Sequence, residues 1–185
     1  MSNNFNFTEY FINYSRLLNN IEYVQKLERL KQNLIKIKKQ KSRVFIFGNG
    51  GSAAISSHFA TDIRKVLGID CINMSDPSLI TCFANDYGYE SSLVEFVKTS
   101  NVSKKDMLIL ISSSATSKNI INALKKFSKS FSTVVSFTGN KKNNILSKKS
   151  SLNFHVNSKI YNVIENLHQI LLLTVIDSIK LNKIK

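Results

Sequence analysis

Residues 44–63 read VFIFGNGGSAAISSHFATDI. Val44 to Phe47 is an unbroken run of β-branched and aromatic residues, the pattern of a strand buried on both faces. It breaks at Gly48, and small residues lead into a helical stretch carrying His58 and Asp62, four positions apart and therefore on one helix face. Strand, glycine-rich turn and helix in this order set backbone N–H groups at the carboxyl end of a strand, where open parallel sheets hold their ligands. The loop is suited to a phosphate, a dinucleotide or a metal.

Outward from this stretch the pattern repeats. Short apolar runs, DCIN, DMLILIS, STVVSFTG and LNFHV, alternate with helical segments: 52–67, one beginning near Pro77, 91–99, 117–128 and 161–181. Such alternation with nearly unbroken apolar strands predicts an α/β three-layer sandwich around a mostly parallel sheet. Before it, from Asn4 to about Gln40, apolar residues recur at helical spacing with no proline or glycine, giving one long helix or two consecutive ones. The apolar stripe is wide, so this segment is expected to contribute to contacts between subunits. The whole of 1–185 reads as a single domain with residues 1–40 as a helical appendage.

Charge narrows the function classes. The 185 residues hold 26 Lys and Arg against 12 Asp and Glu, formally +14. The basic residues are dispersed and accompany no nucleic-acid reading motif, so a nucleic-acid partner is not expected. No apolar run approaches the length of a membrane span, and the N-terminus lacks a signal-peptide pattern, so no membrane association and a cytoplasmic location are expected. Cys71 and Cys82 have no CxxC and no neighbouring His, and read as reduced buried thiols. His155, within LNFHV, reads as an edge-strand residue without a functional part.

Two loops are candidates for chemistry. Gly48, Gly50 and Ala53 satisfy the loose dinucleotide pattern GxGxxG/A, with Asp76 at about the right distance. The second loop, Ser112, Ser113, Ser114 and Ser117, shifts the balance: hydroxyls and amides at a helix N-terminus suit a phosphomonoester, although such a run also serves as a plain turn and N-cap. No nucleotide cofactor is expected.

Together, GNGGSAAISSHFATDI, FANDYGYE, LILISSSATSKNIINALK, VVSFTGN and ENLHQILLLTVID resemble the sugar isomerase (SIS) domain family, in its phosphoheptose isomerase branch. The resemblance implies a homotetramer with sites between subunits that interconverts sedoheptulose 7-phosphate, or a close relative, with an aldose phosphate for heptose synthesis. It places the phosphate on Ser112, Ser113, Ser114 and Ser117, and the sugar on Asn49, Gly50, Gly51, Ser52, Asn85, Asp86 and Glu165. Some members bind zinc, which here implies His58, Asp62 and Glu165 as ligands.

The chain departs from the family's pattern at several of these positions. Asp62 stands where the family has glutamate, Glu165 where it has glutamine, and Leu173 where it has histidine; Ala115 and Thr116 replace glycine and asparagine. Moving a proton between adjacent carbons through an enediol needs a base and an acid. Asp62 is the expected base, and His168, three residues after Glu165, the expected second proton-transfer group. The competing class is a catalytically impaired SIS protein that binds a sugar phosphate or a protein partner as a tetrameric regulator; Leu173 is the feature that favours it.

Overall fold

The computed structural model describes residues 5–181. The expected helix start at Asn4 lies outside that range. Five strands form one fully parallel sheet in the order β2-β1-β3-β4-β5: β1 (Val44–Phe47), β2 (Cys71–Ile72), β3 (Met107–Ser112), β4 (Thr133–Gly139) and β5 (Leu152–Val156). Around it lie α1 (Phe7–Leu18), α2 (Ile21–Lys39), α3 (Gly51–Asp62), α4 (Pro77–Tyr87), α5 (Tyr89–Lys98), α6 (Lys118–Phe127), α7 (Ile145–Lys149) and α8 (Tyr161–Leu181).

Alternation along each strand builds the layers. Val44, Ile46, Met107, Ile109 and Ile111 pack on one face with α2, α3 and α8, while Phe45, Phe47, Leu108 and Leu110 pack on the other with α5 and α6. The α/β three-layer sandwich is therefore present, with both faces of a parallel sheet covered. At the amino ends of β1 and β3, Asp106 is nearly fully buried; it accepts from Arg43 N and Arg43 Nη2, both at 2.9 Å, and from Ser103 N. This ties the two central strands together at the end remote from the glycine loop.

Several boundaries differ from expectation for local reasons. The N-terminal segment divides at Asn19 and Asn20, because the Asn20 side chain accepts from Glu22 N and starts a new helix. The 52–67 helix starts at Gly51, is α-helical only to Asp62, and winds as a π turn over Ile63–Leu67 before Gly68 closes it at φ +66. The DCIN strand is only Cys71–Ile72, at the sheet edge. The helix expected at 91 begins at Tyr89, just after Gly88. Cys71 is buried, and burial pushes its thiol up to about 12; Cys82, expected inside, is exposed on α4.

Candidate active site

The glycine loop and the serine loop lie at the carboxyl ends of β1 and β3, which pair side by side in the sheet. Gly48 is required by proximity: a β-carbon there would sit 2.6 Å from Ser52 Cβ and from its carbonyl oxygen. This close turn brings Asn49 across to α6, where Asn49 and Asn119 exchange two amide hydrogen bonds, each 2.9 Å. Tyr89, at the start of α5, donates its hydroxyl to Asn49 Oδ1 at 2.9 Å. Asn49, Gly50, Tyr89 and Asn119 border a cavity of about 80 Å³.

The serine loop is built on itself. Ser112 Oγ donates to Ser117 Oγ at 3.2 Å, and Ser114 Oγ accepts from Thr116 N and Thr116 Oγ1. Ala115 N–H closes a turn onto Ser112 O with Ala115 at φ +57, a left-handed conformation that costs a side-chain-bearing residue about 1–2 kcal/mol. Glycine is the residue that would adopt this conformation without cost. Ser113 Oγ is buried without a hydrogen-bond partner. Ser117 precedes α6 but makes no side-chain cap bond, which leaves the helix's first-turn N–H groups unclaimed by it. Unpaired donors at a helix N-terminus form an anion site.

The end of α3 is arranged differently. Its first residue, Gly51, lies against the carboxylate of Glu165 on α8, which occupies the space a β-carbon would need. A carboxylate at a helix N-terminus complements the helix dipole, and it disfavours a second anion there. Two turns further along, His58 Nε2 is 3.3 Å from Asp62 Oδ2, and His58 Nδ1 is 3.2 Å from Gln169 Nε2. Both side chains reach solvent, His58 at 47% and Asp62 at 35% exposure. Asp62 thus has the accessibility expected of a base.

Other expected site residues are placed elsewhere. His168 is fully buried, with Nε2 bonded to Thr138 O at 3.1 Å and its ring edge-on to Phe137. Burial pushes its pKa down to about 4, so it is a neutral core residue, and the expectation that it transfers protons with Asp62 is corrected. Asn85 and Asp86 are exposed on α4 and bond to each other, Asn85 Nδ2 donating to Asp86 Oδ1 at 3.0 Å, with no hydrogen bond to the glycine loop. Asp76, the acidic residue of the dinucleotide pattern, caps α4 by accepting from Ser78 N and Leu79 N; the Ser78 hydroxyl, which also donates to it, and then these backbone bonds hold its carboxyl below the usual range. It is occupied as a cap, so the dinucleotide pattern loses its ribose-binding residue.

The metal set does not assemble within one chain. Glu165 sits at Gly51 while His58 and Asp62 lie about two and three turns further along α3, and no group of three or more His, Cys, Asp or Glu comes together among the described residues. Tyr89, Asn119 and Gln169 are polar partners that the sequence did not single out. Asn119 was signalled by its place in the first turn after the serine loop; Tyr89 and Gln169 reach their partners only through folding.

Beside His58 a broad groove of about 770 Å³ runs between α1 and α8, lined by Tyr10, Phe11, Tyr14, Gln169, Ile170 and Leu173. Phe11 is 64% exposed there. Gln169 belongs both to this apolar groove and to the His58 contact.

Comparison with known proteins gives a consistent answer. The SIS domain model matches residues 9–139. A phosphoheptose isomerase of Helicobacter pylori strain P12 is 37% identical over 129 residues, 64% of this chain and 65% of that protein, just under two-thirds of its length. One from Fusobacterium nucleatum is 30% identical over 158 residues, covering 83% of this chain and 80% of that protein. The fold matches the structure of a phosphoheptose isomerase from Neisseria gonorrhoeae with a TM-score of 0.81 at 24% identity, over 93% of this chain and 95% of that one.

Proposed function

This chain belongs to the SIS domain family, in its phosphoheptose isomerase branch, and from that premise we propose that it interconverts sedoheptulose 7-phosphate, or a close relative, with an aldose heptose 7-phosphate. The observation that carries the proposal is the division of charge between two adjacent helix N-termini. The α6 end offers hydroxyls, an unpaired Ser113 Oγ and uncapped N–H groups; the α3 end is already faced by the Glu165 carboxylate. A phosphate therefore binds at Ser112, Ser113, Ser114 and Ser117, and the neutral sugar extends toward Asn49, Gly50, Gly51, Ser52 and Glu165.

In the reaction, a base removes a proton from the hydroxyl-bearing carbon next to the carbonyl and the carbonyl oxygen gains a proton to give an enediol; the base then delivers its proton to the former carbonyl carbon while the other hydroxyl loses its proton to become the new carbonyl. Asp62 takes the carbon-bound proton. With His168 in the core and Leu173 on α8, the oxygen proton falls to His58, the imidazole beside Asp62. The sugar is not enclosed by one chain, since the cavity at Asn49 is far smaller than a heptose phosphate. The site is completed by neighbouring subunits, through the exposed aromatic face of α1 and the Ile170–Leu173 stretch of α8, in a homotetramer to which residues 1–40 contribute contacts. Asn85 and Asp86 meet the sugar only in such an assembly. No described helix is long and apolar enough to cross a membrane.

The test is incubation with sedoheptulose 7-phosphate, with and without added zinc, and NMR detection of the aldose. Formation of aldose supports the isomerase. Retained sugar-phosphate binding without turnover supports instead a binding protein, the outcome that Leu173 and the buried His168 would then explain.

A further inference from the structure

A second polar groove lies on the opposite side of β4 from the serine loop. It runs along the edge strand β5, between the start of α2 and the α7 turn, and has a volume of about 590 Å³. Lys26, Arg29 and Lys142 line it, with Ser150, Asn153 and His155. Glu22 is its one carboxylate and is held by Lys26 at 3.2 Å, so the groove carries three cations against one anion.

Unpaired polar atoms concentrate here. Among the described residues, four buried side-chain atoms have no hydrogen-bond partner: Ser113 Oγ, Ser150 Oγ, His155 Nε2 and His168 Nδ1. One belongs to the serine loop and two to residues of this groove. Burying a polar atom unpaired is unfavourable, so two such atoms on residues of one groove mark it as a place where a ligand's oxygens are wanted. Thr138 Oγ1 lies 3.2 Å from His155 Nδ1 and 3.5 Å from Asn153 Oδ1; when its hydroxyl donates to the ring, the His155 proton sits on Nε2, the tautomer that a bound oxyanion selects. Hydroxyl, imidazole N–H, two ammonium groups and a guanidinium together complement an oxyanion.

We propose that this groove is a second anion site, distinct from the serine loop, that takes the phosphoryl group of a small phosphorylated molecule. Lys26, Arg29 and Lys142 meet the phosphoryl oxygens, and Ser150 and His155 complete the floor. The electrostatics agree: Lys142 and Lys26 add to burial in lowering the His155 pKa, and both also lower that of Glu22. The charged and titratable groups facing His155 are these two lysines, Arg29, Glu22, the buried His168 and Tyr23, whose hydroxyl donates to His155 O at 2.7 Å. The proposal stands whether or not the chain is an isomerase.

His155 is a built-in reporter. Its imidazole resonance, assigned by its loss in His155→Gln, is followed by NMR while the full chain is titrated with inorganic phosphate and, separately, glucose 6-phosphate, with chloride holding ionic strength constant. We expect a saturable shift with the His155 titration moving upward, because a bound anion offsets the lysines and stabilises the imidazolium. Arg29→Gln with Lys142→Gln should abolish the shift, and Lys26→Gln should weaken it; all three line the groove. Ser114→Ala with Ser117→Ala, which disables the first anion site, should leave it intact. Saturation by both ligands identifies a bare oxyanion site, and by the sugar phosphate alone a site for phosphorylated organic molecules. No saturable shift with either ligand, persistence of the shift in the Arg29/Lys142 variant, or its loss in the serine variant overturns the proposal.

Discussion

The carboxylate of Glu165, on α8, lies against Gly51 in the first turn of α3 and fills the space that a β-carbon at position 51 would enter. This contact fixes how the two helices meet at the glycine loop. Gly51→Ala is expected to push aside the carboxylate, the mobile end of a flexible side chain, so its cost is the lost charge contact at the start of α3, about 0.3–1 kcal/mol, partly offset by alanine's better helix propensity. Combining it with Glu165→Ala removes the obstacle. A double-mutant cycle on urea unfolding should show a coupling of about 0.3–1 kcal/mol; additive effects would mean the contact is not formed.

Ala115 carries the clearest local strain, a buried alanine at φ +57 in the serine loop. Ala115→Gly relieves about 1–2 kcal/mol of left-handed strain and gives back part of it as unfolded-chain entropy. Thermal unfolding should move upward, by the equivalent of about 0.5–1 kcal/mol. A lower midpoint would show that the alanine methyl contributes more by packing than it costs by strain.

His168 makes stability depend on pH. Its pKa is depressed to about 4 in the fold, against 6.5 for a free imidazole, so the neutral form is the one the fold holds. The stabilisation is complete above pH 6.5 and is lost as pH falls from there toward 4, where the unfolded chain binds the proton first. The gap corresponds to about 3 kcal/mol. Urea unfolding at pH 7 and pH 4.5 should show the loss, and His168→Leu, though less stable at pH 7, should flatten it. An unchanged pH slope in that variant would place the acid sensitivity elsewhere.

Much of this was readable from the chain because it is local. VFIF and MLILIS alternate between two apolar faces, and this forces a covered parallel sheet before any coordinates are known. The glycine and serine loops were found for the same reason: close turns and hydroxyl runs declare themselves within a few residues. What the sequence concealed is non-local. Whether His168 faces solvent or Phe137 depends on how α8 is rotated against β4, and a helix apolar on most sides does not declare its rotation. Asp76 looked like a ribose ligand by distance along the chain, whereas its backbone neighbours claim it as a cap. Tyr89 and Gln169 become site residues only through contacts 40 and 111 positions away in sequence.

Leu173 is partly buried against the core formed by α2, α3 and α8 and also lines the open groove beside Gln169. Leu173→His puts an imidazole on that groove wall and restores the residue typical of the family. It is expected to raise the rate of isomerisation, by up to the 10²-fold or more that a general acid contributes. An unchanged or lower kcat with the fold intact would show that position 173 does not reach the substrate's oxygens.

Asp62 is the proposed base for the carbon-bound proton of a ketose phosphate. Sedoheptulose 7-phosphate is incubated in D2O with the parent chain and with Asp62→Asn, and NMR follows both aldose formation and deuterium entry at the carbon that changes oxidation state. Aldose and deuterium incorporation are expected with the parent, and a fall of about 10²-fold or more in both with Asp62→Asn while the sugar phosphate still binds. Equal rates in the two proteins would contradict it.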